Sequence, residues 1–101
     1  MENLNNRLKE IIGSHDMMIF MKGTPEQPMC RFSAHTVSML NQLDKEYGSF
    51  NILEDMDVRE GLKAYSNWPT YPQLYYKNEL IGGCDIISEM FENGELQDML
   101  K

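Results

Sequence analysis

Apolar residues along the chain recur with two different periods, and the alternation of these periods predicts helices and strands in turn. Leucine and isoleucine recur every three or four positions over residues 3–13, which predicts an amphipathic helix that ends at Gly13. The run Met17–Met21 is apolar at every position and predicts a central strand that is buried on both faces. Helical spacing returns over residues 30–47, and Gly48 is expected to end this second helix.

The middle of the chain continues the alternation. Residues 22–29 carry a glycine and two prolines, which is typical of a loop. Phe50–Leu53 predicts a second strand. Asp57 and Glu60 have the spacing of a capping box, which predicts a short helix from Asp57 to about Tyr65.

The last third predicts a hairpin followed by helices. Leu74–Tyr76 and Leu80–Ile81 are the predicted strands, with a connection of hairpin length between them. Asp85 is expected to open a helix that Asn93–Gly94 closes, and Leu96–Lys101 predicts one or two further helical turns. Strands joined by a helix should be parallel, whereas the hairpin is antiparallel. The predicted fold class is α/β, a mixed four-stranded sheet with helices on both faces, of the thioredoxin type.

Composition narrows the class of protein. A chain of 101 residues supports one core, so we expect a single domain over 1–101. Nine basic and sixteen acidic residues give a net charge of −7, which argues against nucleic acid as a partner. The apolar runs are far shorter than a membrane span, and the N-terminus lacks the features of a signal or transit peptide. We expect a cytoplasmic protein, or a domain of a longer one, although a mature organellar form would have the same features.

Cys30 is the first candidate for chemistry. It ends the predicted loop and begins the second helix, where the helix dipole and free backbone N–H groups lower a thiol pKa. The alternative, which the residues alone leave open, is a small buried hydrophobic side chain. Ser33 stands where a dithiol redox protein would have its second cysteine. The chain's other cysteine is Cys84, so no disulfide scaffold is expected.

Three motifs, KGTPEQPMCRFS, WPTYPQLY and GGCDI, resemble those of the monothiol glutaredoxins. The motifs agree in order and spacing, and the resemblance covers nearly the whole chain. It implies a thioredoxin-like fold, glutathione binding and a [2Fe–2S] cluster bridged between two subunits. Each subunit would contribute one cysteine, and two glutathione molecules would contribute the other two thiolates.

The resemblance assigns the thiol and its cationic neighbours. Cys30 corresponds to the family's active-site thiol, which also ligates iron, and Lys22 corresponds to the lysine near the thiolates. Arg59 and Lys63 correspond to a pair that holds the glycine carboxylate of glutathione. These two residues are four positions apart and share a helix face. Without the resemblance, the same pair would be interpreted as an ordinary solvated surface.

The resemblance also assigns residues to the rest of the glutathione molecule. Tyr71 corresponds to the residue whose backbone pairs with the cysteinyl peptide, and Pro72 to the cis-proline after it. Cys84 and Asp85 correspond to the turn that holds the γ-glutamyl end, with Asp85 near its ammonium. Alternatively, Asp85 is a simple N-cap, Pro72 is a turn residue, and Cys84 is a small filler or a partner thiol for Cys30.

Arg31 is the main departure from the family pattern, which has glycine at this position. If Lys22, Arg31, Arg59 and Lys63 all surround Cys30, an acidic chain concentrates positive charge at one thiol. The charge of Arg31 should favour the thiolate, but its bulk is expected to crowd a bridging cluster or a second subunit.

The resemblance implies three functions. The first is an iron–sulfur carrier, a homodimer that hands its cluster to apo-proteins and acts in iron homeostasis. The second is a glutathione-dependent thiol–disulfide oxidoreductase that removes glutathione from proteins, with weak activity at most. The third is a regulatory interaction domain within a multidomain protein.

Overall fold

In the computed structural model, which describes residues 2–101, the chain forms a four-stranded sheet with helices on both faces. The elements are α1 (Glu2–Ile12), β1 (Met17–Met21), α2 (Arg31–Asn41), β2 (Gly48–Asn51), a 3-10 turn (Ile52–Glu54), α3 (Met56–Ser66), β3 (Gln73–Tyr76), β4 (Glu79–Gly82), α4 (Cys84–Asn93) and α5 (Glu95–Met99). Within the described range, every helix is too short or too polar to cross a membrane. The predicted α/β class and the strand Met17–Met21 are confirmed.

The strand order is β2-β1-β3-β4, which places β1 inside the sheet. β1 pairs parallel with β2, as expected for strands joined by a helical crossover. β1 pairs antiparallel with β3, where Ile19 lies opposite Leu74, and β3 pairs antiparallel with β4. The predicted parallel and antiparallel pairings are therefore confirmed.

Alternating residues of β1 supply the core on both faces of the sheet. Met17, Ile19 and Met21 pack with apolar side chains of α2, α4 and α5. Met18 and Phe20 pack with side chains of α1 and α3 on the other face. Because successive side chains of a strand point to opposite faces, a strand between two helical layers must be apolar throughout.

The helix that begins after Cys30 ends earlier than predicted. α2 stops at Asn41, whereas helical spacing predicted residues 30–47. Asp44 adopts a left-handed backbone with φ 56°, and the Tyr47 hydroxyl donates a 2.8 Å hydrogen bond to the Asn41 side chain. Leu43 and Tyr47 still pack against the core, but they do so from a loop. Partial burial of these two loop residues therefore explains why the apolar spacing of a helix continues beyond the end of α2.

Gly48 begins a strand and does not end a helix. β2 therefore starts two residues before the predicted Phe50, and the predicted strand residues Ile52 and Leu53 lie in the 3-10 turn. A Cβ at Gly48 would lie 2.2 Å from Nδ1 of His15, so this close approach requires glycine.

The N-cap of α3 is Asp55, and the prediction of Asp57 was wrong. The Asp55 carboxylate accepts a 3.1 Å hydrogen bond from the Val58 N–H and pairs with the guanidinium of Arg7 on α1. Asp57 lies inside the first helical turn. Asp55 can cap because its backbone is extended, the conformation that an N-cap requires.

The β3–β4 hairpin uses a two-residue turn, one residue shorter than predicted. Lys77 and Asn78 both have positive φ angles, 50° and 72°. Two consecutive left-handed residues characterise the turn whose twist matches that of antiparallel strands. Glu79 therefore belongs to β4 and not to the turn.

Candidate functional site

A cleft of about 600 Å³ opens where β1 ends, and the residues that the resemblance assigns to thiol chemistry and glutathione binding all line it. These residues are Lys22, Cys30, Arg59, Lys63, Tyr71, Cys84 and Asp85, together with Pro72. Sequence reasoning did not single out the remaining lining residues, Phe32, Trp68, Pro69, Thr70, Gly83 and Ile86. The cleft lies between α3 on one face of the sheet and α4 on the other, so elements distant in sequence meet at one thiol.

Cys30 is the N-cap of α2 and is partly exposed in the cleft, so it is not a buried hydrophobic side chain. Its pKa is lowered, mainly by the backbone N–H of Ser33 and further by the N–H of Phe32 and the charge of Lys22. Partial burial opposes this shift, but it does not reverse it. The neutral thiol makes no capping hydrogen bond. The N–H groups of the first turn are thus available to the thiolate, the reactive form of cysteine.

Ser33 connects the helix that carries Cys30 to the end of β1. Its side chain is fully buried, and its hydroxyl accepts a 3.2 Å hydrogen bond from the Lys22 backbone N–H. The hydroxyl also helps to lower the pKa of Cys30. The position that holds a resolving thiol in dithiol proteins therefore has a structural role here.

The loop that leads to Cys30 is held by hydrogen bonds at both ends. Met29 N–H donates to the Lys22 carbonyl at 2.9 Å, and Gly23 N–H donates to the Asn51 side chain at 2.9 Å. Gly23 has φ 92°, and a Cβ there would lie 2.5 Å from the Gln27 carbonyl oxygen. Only glycine fits this tight loop, which fixes the position of the thiol relative to β1.

Arg59 and Lys63 form the cationic wall of the cleft from α3. Lys63 pairs with Glu60 at 3.3 Å. The Nε atom of Arg59 is buried and has no hydrogen-bond partner within residues 2–101. An unpaired buried donor is costly, so this guanidinium is suited to an incoming acceptor such as a carboxylate.

A buried glutamine holds the loop that forms another wall. Gln73 is fully buried, and its amide donates to the carbonyls of Trp68 at 2.9 Å and Thr70 at 3.3 Å. The Tyr75 hydroxyl donates to the Gln73 side-chain oxygen at 2.9 Å, and burial raises the pKa of Tyr75 to about 12. Sequence reasoning missed Gln73. The available signal was a polar residue at the start of an otherwise apolar strand.

Tyr71 precedes a cis peptide bond to Pro72, which confirms the predicted cis-proline. The backbone N–H and C=O of Tyr71 make no hydrogen bonds within the part of the chain that the structure describes. Tyr71 lines the cleft, so these groups can pair with the backbone of a bound peptide. Its hydroxyl donates a 2.8 Å hydrogen bond to the Arg59 carbonyl, and burial raises the pKa of the phenol.

The first turn of α4 completes the cleft. Gly83 is the N-cap, so the expectation that Asp85 opens or caps this helix was wrong. Asp85 is the second helical residue and is exposed, and Cys84 is a partly exposed free thiol. A Cβ at Gly83 would lie 3.3 Å from the Pro72 carbonyl oxygen. This close packing places Cys84 and Asp85 against the cis-proline loop.

Arg31 does not line the cleft, so the condition that all four cations surround Cys30 is not met. Its guanidinium lies over the Phe32 ring, 5.0 Å from the ring centroid. Lys22, Arg59 and Lys63 are the predicted cations that do line the cleft. The groups that lower the Cys30 pKa do not include Arg31, so its predicted effect on the thiolate was also wrong.

Sequence comparisons identify the family. A glutaredoxin family model matches residues 17–81. The chain is 59% identical over 98 residues to monothiol glutaredoxin-S11 of Oryza sativa subsp. japonica, and the match covers 97% of the chain but 20% of that protein. It is 49% identical over 102 residues to the probable monothiol glutaredoxin 2 of Rickettsia typhi, which covers all of the chain and 92% of the relative. The chain thus spans about a fifth of the rice relative and nearly all of the rickettsial one.

Solved structures share the fold. Reduced poplar apo GrxS14 superposes with a TM-score of 0.83 at 46% identity, covering 96% of this chain and 89% of the poplar chain. The holo form of poplar glutaredoxin C1 superposes with a TM-score of 0.88 at 22% identity, covering 98% and 87% of the two chains. The thioredoxin-like fold is therefore confirmed. The chain belongs to the glutaredoxin family, among the monothiol glutaredoxins, as established by the family-model match, the relatives and the serine at position 33.

Proposed function

We propose that this chain binds glutathione in the cleft and, as a pair of subunits, carries a [2Fe–2S] cluster for delivery to apo-proteins. The observation that carries the proposal is the juxtaposition of one thiol of lowered pKa with a cationic wall on α3 and a carboxylate on α4. Glutathione has a thiol, two carboxylates and an ammonium, and the cleft offers a partner for each of these groups.

The proposed fit of glutathione begins at the cationic wall. Arg59 and Lys63 pair with the glycine carboxylate, because the buried Nε of Arg59 lacks an acceptor within residues 2–101. The free backbone groups of Tyr71 pair with the cysteinyl peptide. Asp85 and the uncapped N–H groups of α4 receive the γ-glutamyl ammonium and carboxylate. This orientation directs the glutathione thiol toward Cys30.

The ligand requirement of the cluster is the argument for a pair of subunits. A [2Fe–2S] cluster takes four ligands, normally thiolates. Among residues 2–101, no group of three or more His, Cys, Asp or Glu side chains could hold a metal ion. One subunit therefore offers Cys30 and the thiol of its bound glutathione, and a second subunit offers the same pair. The lowered pKa of Cys30 favours the thiolate that iron requires.

Two of the four proposed cluster ligands come from glutathione, which exchanges with glutathione in solution. Exchangeable ligands suit a cluster that is to be delivered to another protein. Apo-proteins with their own cysteines would compete for the iron as glutathione dissociates. The cytoplasm is the proposed compartment, because a reducing environment keeps Cys30 and Cys84 as free thiols and supplies glutathione.

Anaerobic reconstitution with iron, sulfide and glutathione, followed by size-exclusion chromatography with visible absorbance, tests the proposal. We expect a dimer peak with cluster absorbance that disappears when glutathione is omitted. Arg59→Gln should lower the cluster yield, whereas Lys9→Gln removes an equal charge from α1 and should not. A colourless monomer with native circular dichroism would contradict the carrier function.

The exposure and lowered pKa of Cys30 support glutathione-dependent thiol transfer as a second candidate function. The Cys30 thiolate attacks the glutathione sulfur of a glutathionylated protein, and the protein thiolate leaves. A free glutathione thiolate then attacks the Cys30–glutathione disulfide and releases oxidised glutathione. Turnover of a mixed disulfide at physiological glutathione tests this function, with Cys84→Ser to measure any resolving role of the second thiol. Absence of turnover would exclude it.

The chain covers only part of the length of two relatives, which supports a third candidate, a regulatory interaction domain. The chain matches 20% of the rice relative and 40% of monothiol glutaredoxin-4 of Schizosaccharomyces pombe. In this role the cluster-bridged surface would pair with an iron-regulating protein. Failure of the cluster-loaded chain to bind an iron-regulating protein would argue against it.

A further inference from the structure

We propose that Arg31 and Phe32 form a cationic docking platform beside Cys30 that selects partner proteins whose acceptor cysteine is flanked by carboxylates. The inference rests on the proposed function only in requiring that a partner cysteine approaches Cys30. It concerns the exposed surface beside the thiol, at the edge of the cleft that receives glutathione.

The platform combines an exposed cation with an exposed ring. Arg31 is exposed, and its guanidinium lies 5.0 Å from the centroid of the Phe32 ring. It forms no salt bridge within residues 2–101. Phe32 is 46% exposed and also lines the cleft with Cys30. The charge of Arg31 therefore lies on the surface at the edge of the cleft, and Arg31 directly follows Cys30 in the sequence.

The position of this charge is not explained by the stability of the helix or by the reactivity of the thiol. Arg31 is the first residue of α2, where a positive charge opposes the helix dipole. It is absent from the groups that lower the pKa of Cys30 and from the cleft lining. Glutathione would engage Lys22, Arg59 and Lys63 and leave Arg31 free. Its charge is thus available to a macromolecular partner.

Charge complementarity identifies that partner. α2 contains no acidic residue, although the chain as a whole carries a net charge of −7. Met29 is 64% exposed on the other side of Cys30 in sequence, so the thiol has an apolar neighbour as well as a cationic one. A partner cysteine between carboxylates would be attracted and oriented.

Thiol exchange with model peptides tests the platform without iron or glutathione. Each peptide carries one cysteine as a mixed disulfide with thionitrobenzoate, flanked by two glutamates, two glutamines or two lysines. The Cys30 thiolate attacks the peptide sulfur, a Cys30–peptide disulfide forms, and the electron pair leaves on thionitrobenzoate, whose absorbance reports the rate. Cys30→Ser gives the background from Cys84. We expect the glutamate peptide to react about threefold faster than the lysine peptide, or more, with a ratio that falls as salt rises.

Three variants separate the platform from the net charge. Arg31→Gln should reduce the glutamate-to-lysine rate ratio by at least about twofold, and Arg31→Lys should keep most of it. Lys45→Gln removes an equal charge beyond the far end of α2 and should leave the ratio unchanged. The ratio within one variant cancels any change in thiol reactivity.

Two results would overturn the proposal. The first is an unchanged ratio in Arg31→Gln, and the second is an equal loss of the ratio in Lys45→Gln. If the ratio is unchanged and Arg31→Gln also associates into dimers without iron, the surface is assigned to a second copy. Since the assay contains neither iron nor glutathione, failure of the carrier function would not alter its outcome.

Discussion

The hydroxyl of Tyr71 donates a 2.8 Å hydrogen bond to the backbone carbonyl of Arg59. This bond joins the cis-proline loop to the first half of α3, two walls of the cleft whose bonded residues are twelve positions apart in sequence. Tyr71 therefore offers its backbone to a ligand while its side chain fixes the helix that presents Arg59 and Lys63.

Tyr71→Phe should weaken glutathione binding, because the cationic wall loses its attachment to the loop. Loss of one hydrogen bond of about 1 kcal/mol corresponds to roughly a fivefold higher dissociation constant, measurable by calorimetry. Tyr47→Phe is the matched control, since the Tyr47 hydroxyl makes a 2.8 Å hydrogen bond to Asn41 at the end of α2. Equal affinities of the two variants would show that the Tyr71 bond does not position the wall.

Ser33→Ala should raise the pKa of Cys30 and destabilise the chain. The hydroxyl is one of the groups that lower this pKa, and its removal leaves the Lys22 N–H without its acceptor. A buried unpaired donor costs about 1–3 kcal/mol. Thiolate absorbance against pH and urea unfolding measure the two effects, with exposed Ser38→Ala on the same helix as the control. An unchanged Cys30 pKa would contradict the role assigned to the hydroxyl.

Lys22→Gln should also raise the pKa of Cys30, because the Lys22 charge stabilises the thiolate. The alkylation rate of Cys30 at neutral pH should therefore fall, whereas Lys9→Gln should leave it unchanged. The pH dependence of stability gives an independent check. Between the lowered folded pKa and the ordinary unfolded pKa, the unfolded state binds more protons, so stability rises with pH. This rise should vanish in Cys30→Ser, and its persistence there would assign it to another group.

Asp55 should stabilise α3 through its charge and its capping hydrogen bond. The hydrogen bond from Arg7, followed by that from the Val58 N–H, holds the pKa of Asp55 below its usual value. The folded state therefore binds the proton more weakly, and this stability is present above the unfolded pKa and is lost as pH falls through the folded one.

Two variants of Asp55 separate the charge from the cap. Asp55→Ala should cost about 1 kcal/mol at neutral pH, whereas Asp55→Asn should keep most of the cap but lose the pH dependence. Asp57→Ala should cost no more than a few tenths of a kcal/mol, because Asp57 is not the cap. Urea unfolding at several pH values measures all three variants, and a larger loss in Asp57→Ala would contradict the assignment of the cap.

The sequence predicted a helix or strand best where a single physical cause determined its pattern of apolar residues. Met17–Met21 matched β1 because a strand between two helical layers must be apolar at every position. The predicted end of α2 was wrong because Leu43 and Tyr47 are partly buried from a loop, at spacings that a helix would also have. Asp55 was overlooked as a cap because its extended backbone depends on the preceding 3-10 turn.

The motifs in the sequence led to the residues of the candidate site, but not to the side chains that hold the surrounding loops in place. The resemblance to the monothiol glutaredoxins, carried by three motifs, assigned the residues that line the cleft together with Cys30. The contacts of Gln73 with the loop carbonyls involve a side chain whose burial only the folded structure reveals. Arg31 lies outside the cleft lining, with its guanidinium over the Phe32 ring, and this is one of several conformations that the sequence permits.

The composition of the complex purified after anaerobic reconstitution tests the central claim most directly. Iron, sulfide, glutathione and protein are measured in the same dimer fraction. The account predicts one [2Fe–2S] cluster and two glutathione molecules per two chains, and no cluster in Cys30→Ser although the variant remains folded. A cluster that lacks glutathione, or one that Cys30→Ser retains, would contradict the assignment of the ligands.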